Sequence, residues 1–336
     1  MRSMDETSVV SVPRPQGGFR ALRVLKSPCS LCARASGPSV LSVFPQSAIS
    51  SVLTLMRILI TGGKGMLGRT LQKEFADHQL VIADLPEWDI TDAAGFSRKL
   101  RDSSPDVVIH CAAMTAVDKC ETERDLAYRL NAVGSLNVAM ACHRLGIRLV
   151  AISTDYVFDG ALERPYHEFD VAGGAHTIYG ASKFAGEECI RTHCPDHVIC
   201  RISWLYGPGG PSFVHAMISL ADGSRPVLKV VDDQHGNPTS TLAVARHLRL
   251  LLERRELAGT FHLTCEGEAT WAEFAREIFR LGGKEQEIVP CTTQDFPRPA
   301  PRPLNSRLEK RMLRLCGLPP MPHWKEALDE FMKQEF

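Results

Sequence analysis

A short apolar run that breaks into glycines constrains this chain more than any other stretch. Residues 57–68 read RILITGGKGMLG, which predicts a strand, a tight turn and the start of a helix. The turn carries a glycine at every third position, namely Gly62, Gly65 and Gly68. Glycine suits such a turn because it tolerates positive φ and lets the backbone approach a pyrophosphate closely. The N-terminus of the following helix would then present unpaired N–H groups to the phosphates.

A carboxylate at the end of a second apolar run supports a dinucleotide-binding interpretation of this turn. The glycine triplet alone is weak evidence, because surface turns also collect glycine. Residues 80–84 (LVIAD) supply the second strand, and Asp84 stands where the hydroxyls of an adenosine ribose would be bound. A carboxylate there binds a 2′-hydroxyl but repels a 2′-phosphate, and no arginine follows it, so we expect NADH to be usable.

The composition is that of an ordinary soluble globular protein. The 336 residues are 44% hydrophobic and 23% charged, which suits one large domain or two modest ones. The 39 basic and 39 acidic residues cancel, so we expect neither nucleic acid nor a membrane surface as partner. The sequence contains no run of about 18 uninterrupted apolar residues that would indicate a membrane span. The 11 cysteines are scattered, and Cys29 and Cys32 have no second pair to complete a zinc site, so we expect free thiols in a reducing, cytoplasmic compartment.

Residues 1–55 differ in composition from the rest of the chain. They are rich in serine and arginine and contain only Asp5 and Glu6 as acids. Three interpretations stay open: a start site assigned too far upstream, an acid-poor organellar transit peptide, or a disordered tail. We favour the first, since a dinucleotide-binding strand usually begins a few residues after the initiator, and Met56 stands just before this one. Residues 1–55 are therefore predicted to be a non-native or disordered extension.

Alternating strand-like and helical patterns predict an α/β fold for the residues that follow. Residues 105–113 and 148–153 are apolar runs typical of buried parallel strands. The first run ends in small residues that would let a cofactor lie flat. The second delivers Thr154 and Asp155 to the carboxyl edge of the sheet, where ligands bind in open α/β sheets.

A turn-rich junction at residues 204–211 divides this part of the chain. We predict a Rossmann-type, doubly wound parallel sheet over residues 56–203, which would form the dinucleotide-binding domain. Residues 204–336 are predicted to form mainly a smaller, mixed α/β substrate-binding domain, with some chain crossing back.

Three side chains are suited to reduction of a carbonyl by a nicotinamide. Tyr179 and Lys183 lie four residues apart, so they share one side of a predicted helix. A carbonyl that accepts hydride becomes an alkoxide, which needs hydrogen-bond donors and a proton source. Tyr179 can supply the proton, and the Lys183 ammonium would lower the pKa of the phenol from about 10 toward neutrality. Thr154 would add a second donor.

The order of the motifs gives the Tyr/Lys pair its weight, because such a pair alone arises readily by chance. Five motifs follow one another along the chain: a glycine turn, an acidic strand end, a small-residue strand end, a Ser-Thr strand end and a Tyr/Lys helix. This order resembles the extended short-chain dehydrogenase/reductase family over residues 56–336. Finer motifs are similar to those of the dTDP-4-dehydrorhamnose reductases within it: residues 115–121 (TAVDKCE), 153–158 (STDYVF), 179–183 (YGASK), 233–239 (DQHGNPT) and 302–308 (RPLNSRL).

The resemblance implies a reaction and a role for each matched residue. The reaction is reduction of the C4 ketone of dTDP-4-dehydro-L-rhamnose by NADPH or NADH, the last step to dTDP-L-rhamnose. Tyr179 would donate the proton, Lys183 would tune it and anchor a ribose, and Thr154 would bind the oxyanion. Asp155 and Trp204 would contact the nucleotide sugar together with Thr154. The residues implied to bind the cofactor are Gly62, Gly65, Met66, Leu67, Gly68, Asp84, Asp89, Ile90, Ala113, Met114, Thr115, Tyr179 and Lys183.

Expectations about partners and metals come from the family resemblance and not from the residue pattern. The resemblance implies a nucleotide sugar as the small-molecule substrate, and it allows a homodimer and a magnesium ion. The 12 histidines and the acids form no local ligand cluster in the sequence. We therefore assign no metal-binding residue.

Two other functional classes stay open. Sugar-nucleotide epimerases and 4,6-dehydratases use the same Tyr/Lys pair, but dehydratases typically have Asp-Glu after the threonine, whereas here Asp155 is followed by Tyr156. The non-catalytic regulatory subunit of methionine adenosyltransferase also resembles these reductases, but its binding role would not require the motif at residues 115–121. Trp204 has the further interpretation of ordinary packing between domains. The intact catalytic set and the 115–121 motif favour the reductase.

Overall fold

Short strands and helices alternate along residues 55–336, the part of the chain that this computed structural model describes. The strands are β1 (Arg57–Thr61), β2 (Gln79–Ala83), β3 (Val107–His110), β4 (Arg148–Thr154), β5 (His197–Ile202), β6 (Leu205–Tyr206), β7 (Val227–Val231), β8 (His235–Gly236), β9 (Thr239–Ser240), β10 (Gly259–His262), β11 (Ala269–Thr270) and β12 (Glu287–Cys291). The prediction for the N-terminal extension concerns residues that lie almost wholly outside this range.

Helices connect the strands. The α-helices are α1 (Met66–Glu74), α2 (Ala93–Ser103), α3 (Val117–Thr122), α4 (Arg124–Tyr128), α5 (Ser135–Leu145), α6 (Ile178–His193), α7 (Phe213–Leu220), α8 (Thr241–Glu253), α9 (Trp271–Leu281), α10 (Arg311–Leu315) and α11 (Trp324–Glu335). A π-helical segment, Arg129–Gly134, joins α4 to α5, and single 3₁₀ turns lie at Asp155–Val157 and Thr293–Asp295.

The central sheet is parallel and places a binding site at one edge. Its six strands follow the order β10-β5-β4-β3-β1-β2. The chain adds β2 on one side of β1 and then crosses to add β3 on the other side. In open α/β sheets, ligands bind outside the carboxyl ends of the strands at such a switch point. The predicted Rossmann-type, doubly wound parallel sheet is confirmed.

The sheet strands are apolar on both faces because helices cover both faces. Ile58 and Ile60 of β1 pack with Leu71 of α1 on one side of the sheet. Leu59, between them, packs with Phe96 of α2 on the other side. Successive residues of a strand point to opposite faces, so an unbroken apolar run is what a strand between two helical layers requires.

The later part of the chain contributes to the sheet and packs beside it. Strand β10 pairs with β5 at one edge, so the sheet takes a strand from beyond residue 204. Three two-stranded pairs, β6/β9, β8/β11 and β7/β12, lie outside the central sheet. The domain limits at residues 203 and 204 stay a prediction. None of the helices between residues 55 and 336 has both the length and the apolar character needed to cross a membrane.

The first turn of α6 is held tightly against the end of β4. The Thr177 hydroxyl caps α6 by accepting the Gly180 N–H at 3.0 Å. The Ile178 N–H donates to the Glu121 carboxylate at 2.8 Å, which ties α6 to α3. A Cβ on Gly180 would lie only 2.1 Å from the Tyr156 carbonyl oxygen, so only glycine permits this approach. The helix therefore enters the sheet edge at a defined position.

The glycine turn after β1 provides a test of stability with a matched control. Gly62 and Gly146 both have φ of +66°, but a Cβ at Gly62 would lie 2.7 Å from the Ala112 nitrogen, whereas one at Gly146 would meet nothing within 4 Å. We expect Gly146→Ala to lower the free energy of unfolding by about 1–2 kcal/mol, the cost of left-handed backbone alone. Gly62→Ala should lose a further 1–3 kcal/mol or so from overpacking, as measured by urea denaturation. Equal losses would contradict the role of the Ala112 contact.

Candidate active site

A cavity of about 640 Å³ opens at the carboxyl ends of the central strands, at the switch point of the sheet. Every predicted site residue except Met114 lines it: Gly62, Gly65, Met66, Leu67, Gly68, Asp84, Asp89, Ile90, Ala113, Thr115, Thr154, Asp155, Tyr179, Lys183 and Trp204. Residues from many separate elements thus face one space, which is large enough for small-molecule ligands.

The glycine turn leaves the start of α1 open to the cavity. The Gly65 N–H donates to the Gly62 carbonyl at 3.0 Å, which closes the turn. A Cβ on Gly68 would lie 2.4 Å from the same carbonyl oxygen, so glycine is needed for helix and turn to pack. No side chain caps α1, and therefore its first backbone N–H groups stay available to an anion. This arrangement fits the pyrophosphate of a dinucleotide.

Asp84 and Lys64 both bind the backbone of the segments beside the turn. Asp84 Oδ2 accepts the backbone N–H of Lys64 at 2.8 Å, and Oδ1 accepts the N–H of Leu85 at 2.8 Å. The Lys64 Nζ donates to the Leu85 carbonyl at 2.6 Å. The prediction noted only that no arginine follows Asp84, so Lys64, which stands within the glycine turn itself, was not among the predicted site residues. Its signal was a charged residue between two glycines of that turn.

Asp89 and Ile90 line the same cavity as Asp84. The Asp89 carboxylate accepts the backbone N–H of Thr91 at 2.8 Å and the Thr91 hydroxyl at 2.7 Å. These hydrogen bonds lower the pKa of Asp89 and order the loop before α2. Ile90 is buried, and a Cβ on Gly134 would lie 2.6 Å from its side chain.

Thr154, Tyr179 and Lys183 meet where β4 ends against α6. The Thr154 hydroxyl donates to Asp155 Oδ1 at 2.9 Å and accepts the Tyr156 N–H at 3.2 Å. The Lys183 ammonium donates to the Ile152 carbonyl at 2.7 Å, which anchors one turn of α6 to β4. The Tyr179 ring packs edge-on against the Tyr156 ring, with centroids 5.5 Å apart. All three predicted catalytic side chains are buried.

Comparison with known proteins identifies the family of this chain. The family model described as "RmlD substrate binding domain" matches residues 56–336. A dTDP-4-dehydrorhamnose reductase of Streptomyces griseus is 42% identical over 282 residues, which cover 82% of this chain and 92% of that protein. This chain belongs to the dTDP-4-dehydrorhamnose reductase family. The resemblance drawn from the sequence motifs is confirmed.

Solved structures of the dTDP-4-dehydrorhamnose reductase family share the fold. The enzyme from Clostridium acetobutylicum is 44% identical with a TM-score of 0.80, covering 83% of this chain and 99% of that one. The enzyme from Bacillus anthracis, solved in complex with NADP, is 39% identical with a TM-score of 0.81, covering 84% of this chain and 100% of that one. A nicotinamide cofactor, as predicted, is thereby supported.

The described residues offer no site for the magnesium ion that the family resemblance allowed. Between residues 55 and 336, no group of three or more His, Cys, Asp or Glu side chains is arranged to hold a metal ion. We derive no step of the chemistry through a metal.

Met114 lies behind the cavity wall, where a buried asparagine holds its backbone. The Met114 N–H donates to Asn131 Oδ1 at 2.8 Å, and Asn131 Nδ2 donates to the Met114 carbonyl at 3.1 Å. Asn131 also donates to the Ser182 hydroxyl at 3.0 Å, which links the π-helical segment to α6. Asn131 is 1% exposed and was missed by the sequence analysis. A polar residue inside a helical pattern was its only signal.

Burial sets the protonation states of the catalytic set. Burial raises the pKa of the Tyr179 phenol, the Asp155 carboxylate raises it further, and the Thr154 hydroxyl opposes both. Burial lowers the pKa of Lys183 to about 8, although the Glu187 carboxylate one turn later favours its charged form. The effect of burial on Tyr179 is opposite to the lowering that we predicted from Lys183. At neutral pH the phenol therefore keeps its proton while the lysine is charged.

Asp155 places a carboxylate in the cavity wall where burial disfavours its charged form. Burial raises its pKa to about 6, against the hydroxyls of Ser306 and Thr154, which favour the carboxylate. Within residues 55–336, Asp155 Oδ2 has no hydrogen-bond partner. A buried acceptor without a partner that lines a cavity is suited to accept a hydrogen bond from a ligand hydroxyl.

The raised pKa of Asp155 predicts how stability changes with pH. Its folded value of about 6 lies above the ordinary 3.8, so the folded chain holds a proton that the unfolded chain has lost between pH 4 and pH 6. Stability should fall as pH rises through this window, by up to about 3 kcal/mol. Asp155→Asn should remove this fall, as urea denaturation from pH 4 to pH 7 would measure.

A second aspartate serves as the control for this measurement. This residue is Asp159, whose pKa is lowered by a hydrogen bond from the Tyr166 hydroxyl. The contribution of Asp159 to the free energy of unfolding is therefore lost only as the pH falls below the ordinary aspartate pKa. Asp159→Asn should therefore leave the slope between pH 5 and pH 7 unchanged. An unchanged slope in Asp155→Asn as well would contradict the raised pKa.

Proposed function

We propose that this chain reduces the C4 ketone of dTDP-4-dehydro-L-rhamnose to dTDP-L-rhamnose with NADPH or NADH. One observation carries the proposal: Tyr179, Lys183 and Thr154 meet in the same cavity as the glycine turn and the uncapped start of α1. The names of its relatives in the family support the same reaction.

The catalytic side chains divide the work of the proton transfer. The nicotinamide cofactor, when bound, supplies the hydride. Tyr179, protonated at neutral pH, donates its phenolic proton to the substrate oxygen as negative charge develops there. The Thr154 hydroxyl, at the end of β4, donates to Asp155 Oδ1 in the free site and turns its single proton to the same oxygen when substrate is bound. The Lys183 cation stabilises the phenolate that Tyr179 becomes.

The motif at residues 115–121 supports catalysis by holding neighbouring segments of the cavity in place. Glu121 accepts the backbone N–H of Ile178, immediately before Tyr179. Asp118 forms an ion pair with Arg302 at 2.9 Å, which ties α3 to the 302–308 motif. Both acids therefore act by holding segments around the cavity, as an enzyme that must orient Tyr179 would need.

We infer that the cofactor site accepts both NADPH and NADH. Asp84 favours a free 2′-hydroxyl and disfavours a 2′-phosphate. Lys64 supplies a cation on the same segment, since its Nζ donates to the carbonyl of Leu85, the residue after Asp84, at 2.6 Å. A cation that could attract a 2′-phosphate and a carboxylate that disfavours one thus both line the cavity, so neither cofactor is excluded.

We further propose a cytoplasmic location and a homodimeric assembly. A cytoplasmic location is supported by the nine cysteines of residues 55–336, all of which are free thiols. A homodimer stays a prediction from the family resemblance.

The first test is turnover. We expect the purified protein to oxidise NADPH or NADH only when the 4-keto nucleotide sugar is present. Tyr179→Phe should lose about a hundredfold or more of kcat, since the proton donor is removed, while the Kd for NADPH stays unchanged. Tyr128→Phe removes the same hydroxyl from a side chain that is 39% exposed and outside the cavity, and should leave turnover unchanged. Normal turnover in Tyr179→Phe would remove the phenol from the mechanism.

The second test separates the two cofactors. Lys64→Met should raise the KM for NADPH about tenfold, the effect of losing one charge-assisted contact of about 1.4 kcal/mol, with little change for NADH. Lys73→Met, which removes a lysine later in α1 that does not line the cavity, is the matched control. An equal rise for both cofactors would assign Lys64 to the shared pyrophosphate instead of the 2′-phosphate.

A further inference from the structure

The backbone of Trp204 adopts a conformation that bulky residues rarely adopt. Its φ is +47°, in the left-handed region. Such conformations persist only where the surrounding structure determines them, and they concentrate at functional sites. Trp204 lines the cavity, directly before β6. The contacts that hold the Trp204 indole in the cavity wall therefore affect the shape of the site.

A second indole lies flat against Trp204. The Trp204 and Trp271 rings are stacked, with centroids 3.6 Å apart and planes inclined by only 8°. Trp271 begins α9 and does not line the cavity. The Phe213 ring packs against Trp271 with centroids 4.6 Å apart. The indole that faces the cavity therefore has an aromatic support behind it.

The motif at residues 233–239 holds both indoles. The Trp271 Nε1–H donates to the Gln234 side-chain oxygen at 2.9 Å, which fixes the rotation of the ring. A Cβ on Gly236 would lie 2.3 Å from the Trp204 ring, so only glycine leaves room for it. The Thr239 N–H donates to the Trp204 carbonyl at 3.1 Å. This motif thus acquires a physical role that its sequence did not reveal.

We propose that Trp271 is a positioning residue that sets the orientation of the Trp204 indole against the nucleotide sugar. The inference rests on the proposed function, since it assumes that the sugar end of the substrate meets Trp204. An indole face offers an apolar, polarisable platform to the C–H face of a pyranose ring. Trp271 does not line the cavity that the glycine turn and Tyr179 line, so we expect its effect on substrate binding rather than on cofactor binding or proton transfer.

The test combines a spectrum with steady-state kinetics. Two stacked indoles whose transition dipoles cross within the parallel ring planes produce an exciton couplet in the circular dichroism spectrum, and the chain has only 4 tryptophans. A couplet in the wild-type spectrum is therefore the reference for the variants. Trp271→Leu should abolish the couplet and raise the KM for the nucleotide sugar about tenfold, while kcat and the Kd for NADPH stay within about twofold. Trp271→Phe also abolishes the couplet but keeps a flat ring behind Trp204, so its KM should stay near that of the wild type.

The outcomes are distinguishable. A folded Trp271→Leu protein without the couplet but with unchanged KM would overturn the proposal. A KM raised equally in Trp271→Phe and Trp271→Leu would overturn the stacking explanation. If Trp271→Leu does not fold, Gln234→Leu decides by the same two readouts. It removes the partner of the indole N–H together with the hydrogen bond that Gln234 Nε2 donates to the Thr293 hydroxyl at 3.0 Å, and Thr293→Val, which removes the latter bond but keeps the partner of the indole, is its control. A weaker couplet with a higher KM in Gln234→Leu alone supports the proposal, and a weaker couplet with an unchanged KM overturns it. A wild-type protein without turnover would overturn the proposed function, and this inference with it.

Discussion

The close approach of α6 to the end of β4 is the contact on which the candidate site depends. Thr154 belongs to β4, whereas Tyr179 and Lys183 belong to α6, so their separation is set by how tightly the two elements pack. Gly180 permits the approach because a Cβ there would lie 2.1 Å from the Tyr156 carbonyl oxygen. The Lys183 ammonium reinforces it through the Ile152 carbonyl at 2.7 Å. Packing thus places the proton donor, its cation and the second hydroxyl together.

Burial at this contact also determines the chemistry. Removal of an ionisable side chain from water favours its neutral form. Burial therefore keeps the Tyr179 phenol protonated and lowers the pKa of Lys183 to about 8. Beneath Lys183, Glu187 is itself paired with Arg201 by two hydrogen bonds at 2.9 and 2.7 Å, so a buried charge network underlies the helix. Such pairing lowers the pKa of Glu187 despite burial. The carboxylate therefore remains available to support the Lys183 cation.

Residues that act within one short segment were predictable, and residues that act between distant segments were not. The glycine turn, Asp84 and the Tyr179/Lys183 pair follow from local patterns whose spacing has a physical reason. Asn131 could not be found in this way, because its partners are the backbone of Met114 and the hydroxyl of Ser182. Trp271 was missed for the same reason, since its partner lies in the loop before β6.

By itself the sequence determined the class of fold, the order of the motifs along the chain and the family, because apolar periodicity and turn chemistry are properties of consecutive residues. Only the tertiary structure decided that Lys64 lies beside the Asp84 carboxylate, that Met114 lies behind the cavity wall, and that burial raises the pKa of Tyr179. These properties depend on desolvation and on contacts between segments far apart in the chain. No local pattern encodes the distance between two such segments once they have packed.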